Sequence, residues 1–265
     1  MNAQIPLSHD WTPADLDLIV GDYFVMLAKD LAVQPLDSAA HQRALRFVTG
    51  RSGGALEFKA CEVSAALSLI GLPILTAFQP RWTFADDLID AVERRLIAHP
   101  AILTAAARPP SLFSKDGFAL PIETTPPVFE ARQLDPGPRA ARLIERFDPA
   151  ARDAADRFLT ETGLAAILAL EHHRLSHHGR PDLADQIRPA GSGDPPGCDL
   201  ISITSGGEPR WIAVKTTTGG AATPFALTDA EQALWTERPD VFRLYRLYDL
   251  GRDLRFYRLR PPQTL

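Results

Sequence analysis

The chain has 265 residues, 45% hydrophobic and 23% charged, with a formal net charge of −5. That length suits one large domain or two of moderate size, and the acidic balance excludes a protein that coats nucleic acid by bulk charge, though not a local basic groove. With no apolar run near the ~18 residues of a membrane span, no basic-then-apolar leader in MNAQIPLSHDW, and two cysteines (Cys61, Cys198) outside any metal-ligand spacing, a cytoplasmic protein with reduced thiols and no membrane partner is expected.

In chain order, the first hundred residues predict helices. Thr12 is placed as an N-cap, with Pro13 in the first turn and Asp15 completing a capping box. Leu16, Ile19, Val20, Tyr23, Phe24 and Leu27 then recur at helical spacing. A second helix follows Ser38, and a third covers about Leu56 to Ile70 and stops at Gly71. Thr83 is expected to cap a fourth that runs to about Ile97. From Ala105 to Gly137 the prolines at 109, 110, 121, 126, 127 and 136, with Pro138 beyond, break the pattern, which predicts a helix-free linker. Asp148-Pro149 opens one long helix to about His178.

After Gly191 the period changes. "GCDLISIT" (197–204) predicts a strand, "SGGEP" (205–209) a hairpin turn and "RWIAVKTT" (210–217) the returning strand. "LTDAEQALW" is a short helix opened by Thr228. "FRLYRLY" and "LRFYRL" form a second hairpin.

Strand alternation sorts the chemistry. If Ile212 and Val214 face the core, Ala213 and Lys215 share the other face, and one register of strands ~4.8 Å apart brings Asp199 to the same surface. A carboxylate can hold a divalent cation through oxygen, and a lysine can orient or activate water. Together they suit phosphodiester hydrolysis.

These residues also carry a resemblance. "GCDLISI…GGEPRWIAVKTT…TPFALTDAEQALW…FRLYRLYDL" is similar to the Protein NO VEIN C-terminal-like domain, a family in the PD-(D/E)XK nuclease-like superfamily, over about residues 155 to 260. The family reads G-x-D-(I/L) on the first strand and (I/V)-E-V-K-(T/S)-(T/S) on the second. Carried over, Asp199 matches the metal-binding acid and Lys215 the catalytic lysine. Glu171, in "LALEHHRL", matches the acid of an LE-x-x-R helix and would hold a second metal or a water. Ala213 departs from the pattern, standing where the family has its metal-binding glutamate. Either the glutamate was replaced to inactivate the chain, or the chain is a natural non-catalytic member. "GRSGGALEFKACEVSAALSLIGLP" (50–73) resembles a helical module found ahead of nuclease domains in bacterial restriction and defence proteins.

The resemblance implies an α/β (α+β) protein: a helical recognition or regulatory domain (1–104), a Pro-rich linker (105–147) and a restriction-endonuclease-like mixed sheet flanked by helices (148–265). It implies an Mg²⁺- or Mn²⁺-dependent endonuclease acting on DNA, the metal held by Asp199, the residue at 213 and the Val214 carbonyl, and silent here because of Ala213. The rival reading is a non-catalytic module that holds nucleic acid or a partner protein. A third is a defence effector kept latent until a partner or signal acts through the N-terminal domain, with homo-oligomerisation compatible with each.

Three other patterns compete for attention. His173 and His177 lie four apart on a helix but have no third ligand nearby, so they read as a helix-end cationic patch and not a zinc site. Glu57-Phe58-Lys59 copies the acid-x-lysine spacing by chance, on a helix. The last hairpin interleaves Arg243, Arg246, Arg252, Arg255, Arg258 and Arg260 with Tyr245, Tyr248, Phe256 and Tyr257. That pattern fits either a nucleic-acid groove or a solvated outer face.

Overall fold

The computed structural model describes residues 11–105, 113–114, 117–118, 120–128, 135–250 and 254–261. They fall into two compact units, one drawn from residues 1–69, 74–106 and 130–146 and the other from 70–73, 107–129 and 147–265. Architecture is mixed α/β, with helices throughout and one six-stranded sheet.

The first unit is helical. Helix α1 (Pro13–Leu31) starts with the expected capping box, Thr12 and Asp15 each accepting the other's backbone N–H. Its stripe of Leu16, Ile19, Val20, Tyr23, Phe24 and Leu27 is buried. Each such side chain contributes about 1.5–3 kcal/mol of transfer free energy. Helix α2 (Ser38–Thr49), capped by Asp37, has no buried residue at all. Helix α3 (Gly53–Leu69) is buried along most of its length, and it carries Lys59 paired to Glu62 at 2.6 Å. The Glu57-Phe58-Lys59 triplet therefore belongs to a structural ion pair inside a helix.

Helix α4 (Asp86–Ala98) has Ala85 and not Thr83 at its N-cap position, with no side-chain cap. The Thr83 hydroxyl donates instead to Glu62 Oε1 at 3.1 Å, completing the partners of a buried carboxylate. A short helix α5 (Ala101–Ala105) follows. Helix α6 (Pro138–Phe147) begins just past the stretch expected to lack helices and fills the end of the 105–147 linker range, with Pro138 at its start, where its missing N–H costs nothing. Arg139 reaches Asp90, and Arg142 and Arg146 converge on Glu93 at 2.7 and 3.1 Å.

In the second unit the long helix is two helices, α7 (Pro149–Ala155) and α8 (Arg157–His177). Asp156 is the reason for the break. Its extended backbone lets its carboxylate accept the N–H groups of Phe158 and Leu159, at 2.9 and 3.2 Å. A single-turn helix α9 (Pro181–Ala184) leads to the sheet. Strands β1 (Phe113–Ser114) and β2 (Gly117–Phe118) pair only with each other.

The main sheet runs β3-β8-β7-β6-β5-β4, from β3 (Ile122–Glu123), β4 (Arg188–Pro189), β5 (Leu200–Ile203), β6 (Pro209–Thr216), β7 (Phe242–Tyr248) and β8 (Arg255–Leu259). The β5–β6 and β7–β8 pairs are antiparallel hairpins as expected. The central β6–β7 pair is parallel, with helix α10 (Asp229–Glu237) in its crossover. Helix α8 covers one face through Leu159, Ala166 and Ile167 against Leu200, Ile212 and Tyr245. Helix α10 covers the other through Leu234 against Ala213 and Phe242. With both faces covered, alternation along the strands separates two cores and not inside from outside.

Candidate active site

Site geometry begins where the chain enters β5. Gly197 has φ +91°, and a Cβ placed on it would lie 2.6–2.8 Å from backbone atoms of Ala230 and Glu231. Only glycine lets this loop lie on the first turn of α10. Gly197→Ala should therefore cost at least about 2 kcal/mol and loosen the start of α10. Denaturant unfolding combined with amide exchange at residues 228–233 would show this, and an unchanged midpoint would refute the close approach.

Two residues on, the Asp199 N–H donates to the Ile212 carbonyl at 2.8 Å, and its Oδ2 accepts the Val214 N–H at 2.7 Å. The carboxylate is thereby fixed beside β6. Burial pushes its pKa above the ordinary aspartate value and the negative charge of Glu231 adds to this, while the Val214 N–H and Lys215 pull the other way.

Lys215 shares this face. Its Nζ lies 2.7 Å from Glu231 Oε2, with side-chain exposures of 19% and 7%. Glu231 is the third residue of α10 and closes a capping box with Thr228, its Oε2 also accepting the Thr228 N–H at 2.7 Å. The sequence places a helix start at Thr228 but does not single out Glu231 or its second task of neutralising Lys215. The T-x-x-E signal marks a helix start, and only the parallel crossover brings that start over the end of β6.

Ala213 lies between these groups in sequence and is fully buried, packed with Leu234 and Phe242 and flanked by Cys198, Trp211 and Trp235. The expected open surface at this position is instead an apolar core.

Glu171 is not brought to this site. Arg210, Ile212 and Val214 face α8, whereas Ala213 and Lys215 face α10, and Glu171 meets Arg210 and not Lys215. Its carboxylate is 1% exposed and accepts from Arg174 Nη2 (2.7 Å), Ser202 Oγ (2.6 Å) and Tyr245 Oη (2.9 Å), with Arg210 at 3.6 Å. Burial opposes ionisation, but the Arg174 and Ser202 hydrogen bonds and the Arg210 charge outweigh it and hold the group below the ordinary glutamate value. Tyr245, buried beside it, is pushed up to about 12. A carboxylate with these partners ties helix to sheet, Oε2 taken by Arg174 and Ser202 and Oε1 accepting from Tyr245.

The donor set on the α10 face does not amount to a divalent-cation site. One Asp199 oxygen is spent on Val214, Ala213 offers a methyl group, and Glu231 Oε2 is shared by an ammonium and an N–H. Among the described residues no cluster of three or more His, Cys, Asp or Glu is arranged to hold a metal. His173 and His177 stack ring on ring at 6.0 Å.

The arginine-rich hairpin does not present its aromatics. Tyr245, Tyr248, Phe256 and Tyr257 are buried, and so is Arg246, which is 1% exposed, donates to the Thr223 carbonyl and lies over Phe225. Arg243 is spent on the carbonyls of Pro239, Asp240 and Phe242, and Arg258 on Glu123. Arg255 stays exposed, and Arg252 lies outside the described residues. Bases therefore have no ring face on which to stack here.

No described helix is long and apolar enough to cross a membrane. Residues 171–259 match the family model described as Protein NO VEIN, C-terminal, a span holding Asp199, Ala213, Lys215 and Glu231. Comparison with curated proteins gives no match, and neither does comparison with solved structures.

Proposed function

We propose that the unit containing residues 171–259 is a nuclease-type phosphodiester-handling domain of the bacterial defence or restriction kind, with DNA as its polymer and hydrolysis silenced at Ala213. The observation that carries this reading is the fixed acid beside a half-buried lysine: Asp199 locked to the Val214 N–H, and Lys215 the next residue along that strand. The family match, which hints at a nuclease-like fold, supports it.

In this arrangement Lys215 is the group that would meet a phosphate and stabilise charge developing on its oxygens. Only with a carboxylate restored at position 213 would Asp199 and the Val214 carbonyl have the partners to hold Mg²⁺ or Mn²⁺, which would then polarise the phosphate and activate water. Because this chain lacks the second carboxylate, its residues support binding without turnover.

Glu231 competes with phosphate for Lys215. Glu231→Gln keeps a side chain that can close the capping box but removes the counter-charge. DNA affinity, read by fluorescence anisotropy, should rise by roughly threefold to tenfold, and the gain should vanish in Glu231→Gln/Lys215→Met. Unchanged affinity would remove Lys215 from the contact with phosphate. Failure of the parent chain and of Glu231→Gln to bind double-stranded DNA, single-stranded DNA or RNA would overturn the reading.

The rival reading, a module that holds nucleic acid or a partner protein without ever cleaving, draws support from the dense apolar packing around Ala213. An effector awaiting an activating partner would differ from both in staying silent even with a carboxylate restored.

A further inference from the structure

On the sheet face opposite Lys215, one corner gathers positive charge. Arg210 lies near the start of β6, Arg243 near the start of β7, and Arg260 just past the end of β8. Register brings the three to one edge. Arg243 pairs with Ile212, two residues beyond Arg210, in the parallel β6–β7 ladder. Leu244 pairs with Leu259 in the antiparallel β7–β8 ladder, so Arg260 falls beside Arg243. Such cross-strand neighbours stand about 5 Å apart at Cβ. Alternation gives all three arginines the face of Ile212, Tyr245 and Phe256, which is the α8 face.

The carboxylates around this corner are committed to other arginines. Glu171 is shared between Arg174 and Arg210, Asp240 pairs with Arg238, and Glu123 with Arg258. Arg243 has no ion pair among the described residues. The Pro239, Asp240 and Phe242 carbonyls hold its guanidinium in place without cancelling its charge. Burial lowers its pKa from the ordinary arginine value, and the charges of Arg210 and Arg260 push it the same way, with Tyr245 and Asp240 opposing. Like charges held together in this way cost free energy until an anion joins them.

Open donors remain. The carbonyls take Arg243 Nη1 and Nη2, whereas its Nε has no partner among the described residues and is not among the buried nitrogens. Arg210 Nη1 reaches Tyr245 Oη at 3.4 Å, and its Nε is buried. Its Nη2 is likewise unpartnered and open, and 16% of the side chain is exposed. Arg260 is exposed. Guanidinium N–H groups on two or three neighbouring arginines match the oxygens of a phosphate better than the two oxygens of a simple carboxylate.

We propose that this corner binds a phosphate group, received by Arg210 Nη2, Arg243 Nε and the Arg260 side chain. The site needs neither Lys215 nor the nuclease-type reading. The test follows arginine Nε–H signals of the full chain by NMR during titration with inorganic phosphate, with acetate at matched ionic strength as the comparison. Phosphate should shift the Arg243 Nε–H signal at millimolar concentration or below, and bind at least about tenfold more tightly than acetate. Arg260→Glu sets a carboxylate at an exposed position where the phosphate charge would sit, and should weaken phosphate binding by about tenfold or more. Arg260→Lys, which keeps the charge, should retain most of it. Displacement of phosphate at this signal by a 5′-hydroxyl DNA oligonucleotide would identify a backbone diester as the ligand. Displacement by its 5′-phosphorylated form alone would identify a terminal monoester, and displacement by neither a free phosphate. An Arg243 signal that does not move, an equal response to acetate, or undiminished binding in Arg260→Glu would each overturn the proposal.

Discussion

Glu171→Ala is expected to cost about 3–5 kcal/mol, because it leaves two arginines facing each other around an empty, buried position. Arg174 loses two hydrogen bonds to the carboxylate, Ser202 and Tyr245 lose their acceptor, and Arg210 loses its counter-charge. Arg174 also donates to the Ile203 carbonyl at 2.6 Å, so the damage extends into β5. Glu171→Gln should cost less, since it keeps one acceptor and part of the shape. The measurement is denaturant unfolding followed by amide exchange in β5–β7, and a cost below about 1 kcal/mol for Glu171→Ala would refute the structural role. A pH dependence follows. The folded-state pKa of Glu171 lies below its ordinary value, so its contribution is fully present above about pH 4.3 and is lost as pH falls through the lowered value. Glu171→Gln should therefore flatten the acid limb of the stability profile. A metal-binding role for Glu171 would predict the opposite pattern, with stability kept and cation dependence altered.

The same residue shows where sequence reading stops. Helical spacing and the match of "LALEHHRL" to a family pattern single out Glu171, but its neighbours come from positions 202, 210 and 245, which only the sheet register brings together. Local signals fared better. The capping box at Thr12, the helix start at Thr228 and the turn at 205–209 rest on contacts within a few residues, and the strands at 242–248 and 255–259 on their own residue pattern, so these are written in the sequence itself. The break at Asp156 was also written there, as an N-cap residue within a helical pattern, but the apolar periodicity on both sides masked it. Alternation along β6 correctly grouped Ala213 with Lys215. It could not tell that a second helix covers that face, so a buried alanine read as a vacant ligand position. Tyr245 and Phe256 are hidden on the other face, under α8, and Arg246 is buried against Thr223 and Phe225.

Ala213→Glu is the change with the largest expected effect on activity. The parent chain should leave plasmid, single-stranded DNA and RNA intact with Mg²⁺ or Mn²⁺. The variant should cleave DNA at least about a hundredfold above that background, since a second carboxylate two residues before Lys215 completes an oxygen donor set with Asp199. The structure adds a cost. The alanine methyl is fully buried against Leu234 and Phe242, so a longer side chain should destabilise the unit by about 1–3 kcal/mol, partly offset by Lys215 on the same face. Ala213→Gln separates the two effects, because it carries nearly the same volume and packing strain without a charged ligand. Cleavage by Ala213→Glu alone, at comparable stability of the two variants, would establish a nuclease disabled at one position and identify its substrate. If both variants fold, bind nucleic acid and cut nothing, the hydrolytic reading falls and the binding module stands. The competition between Glu231 and phosphate for Lys215 then becomes the property that sets affinity.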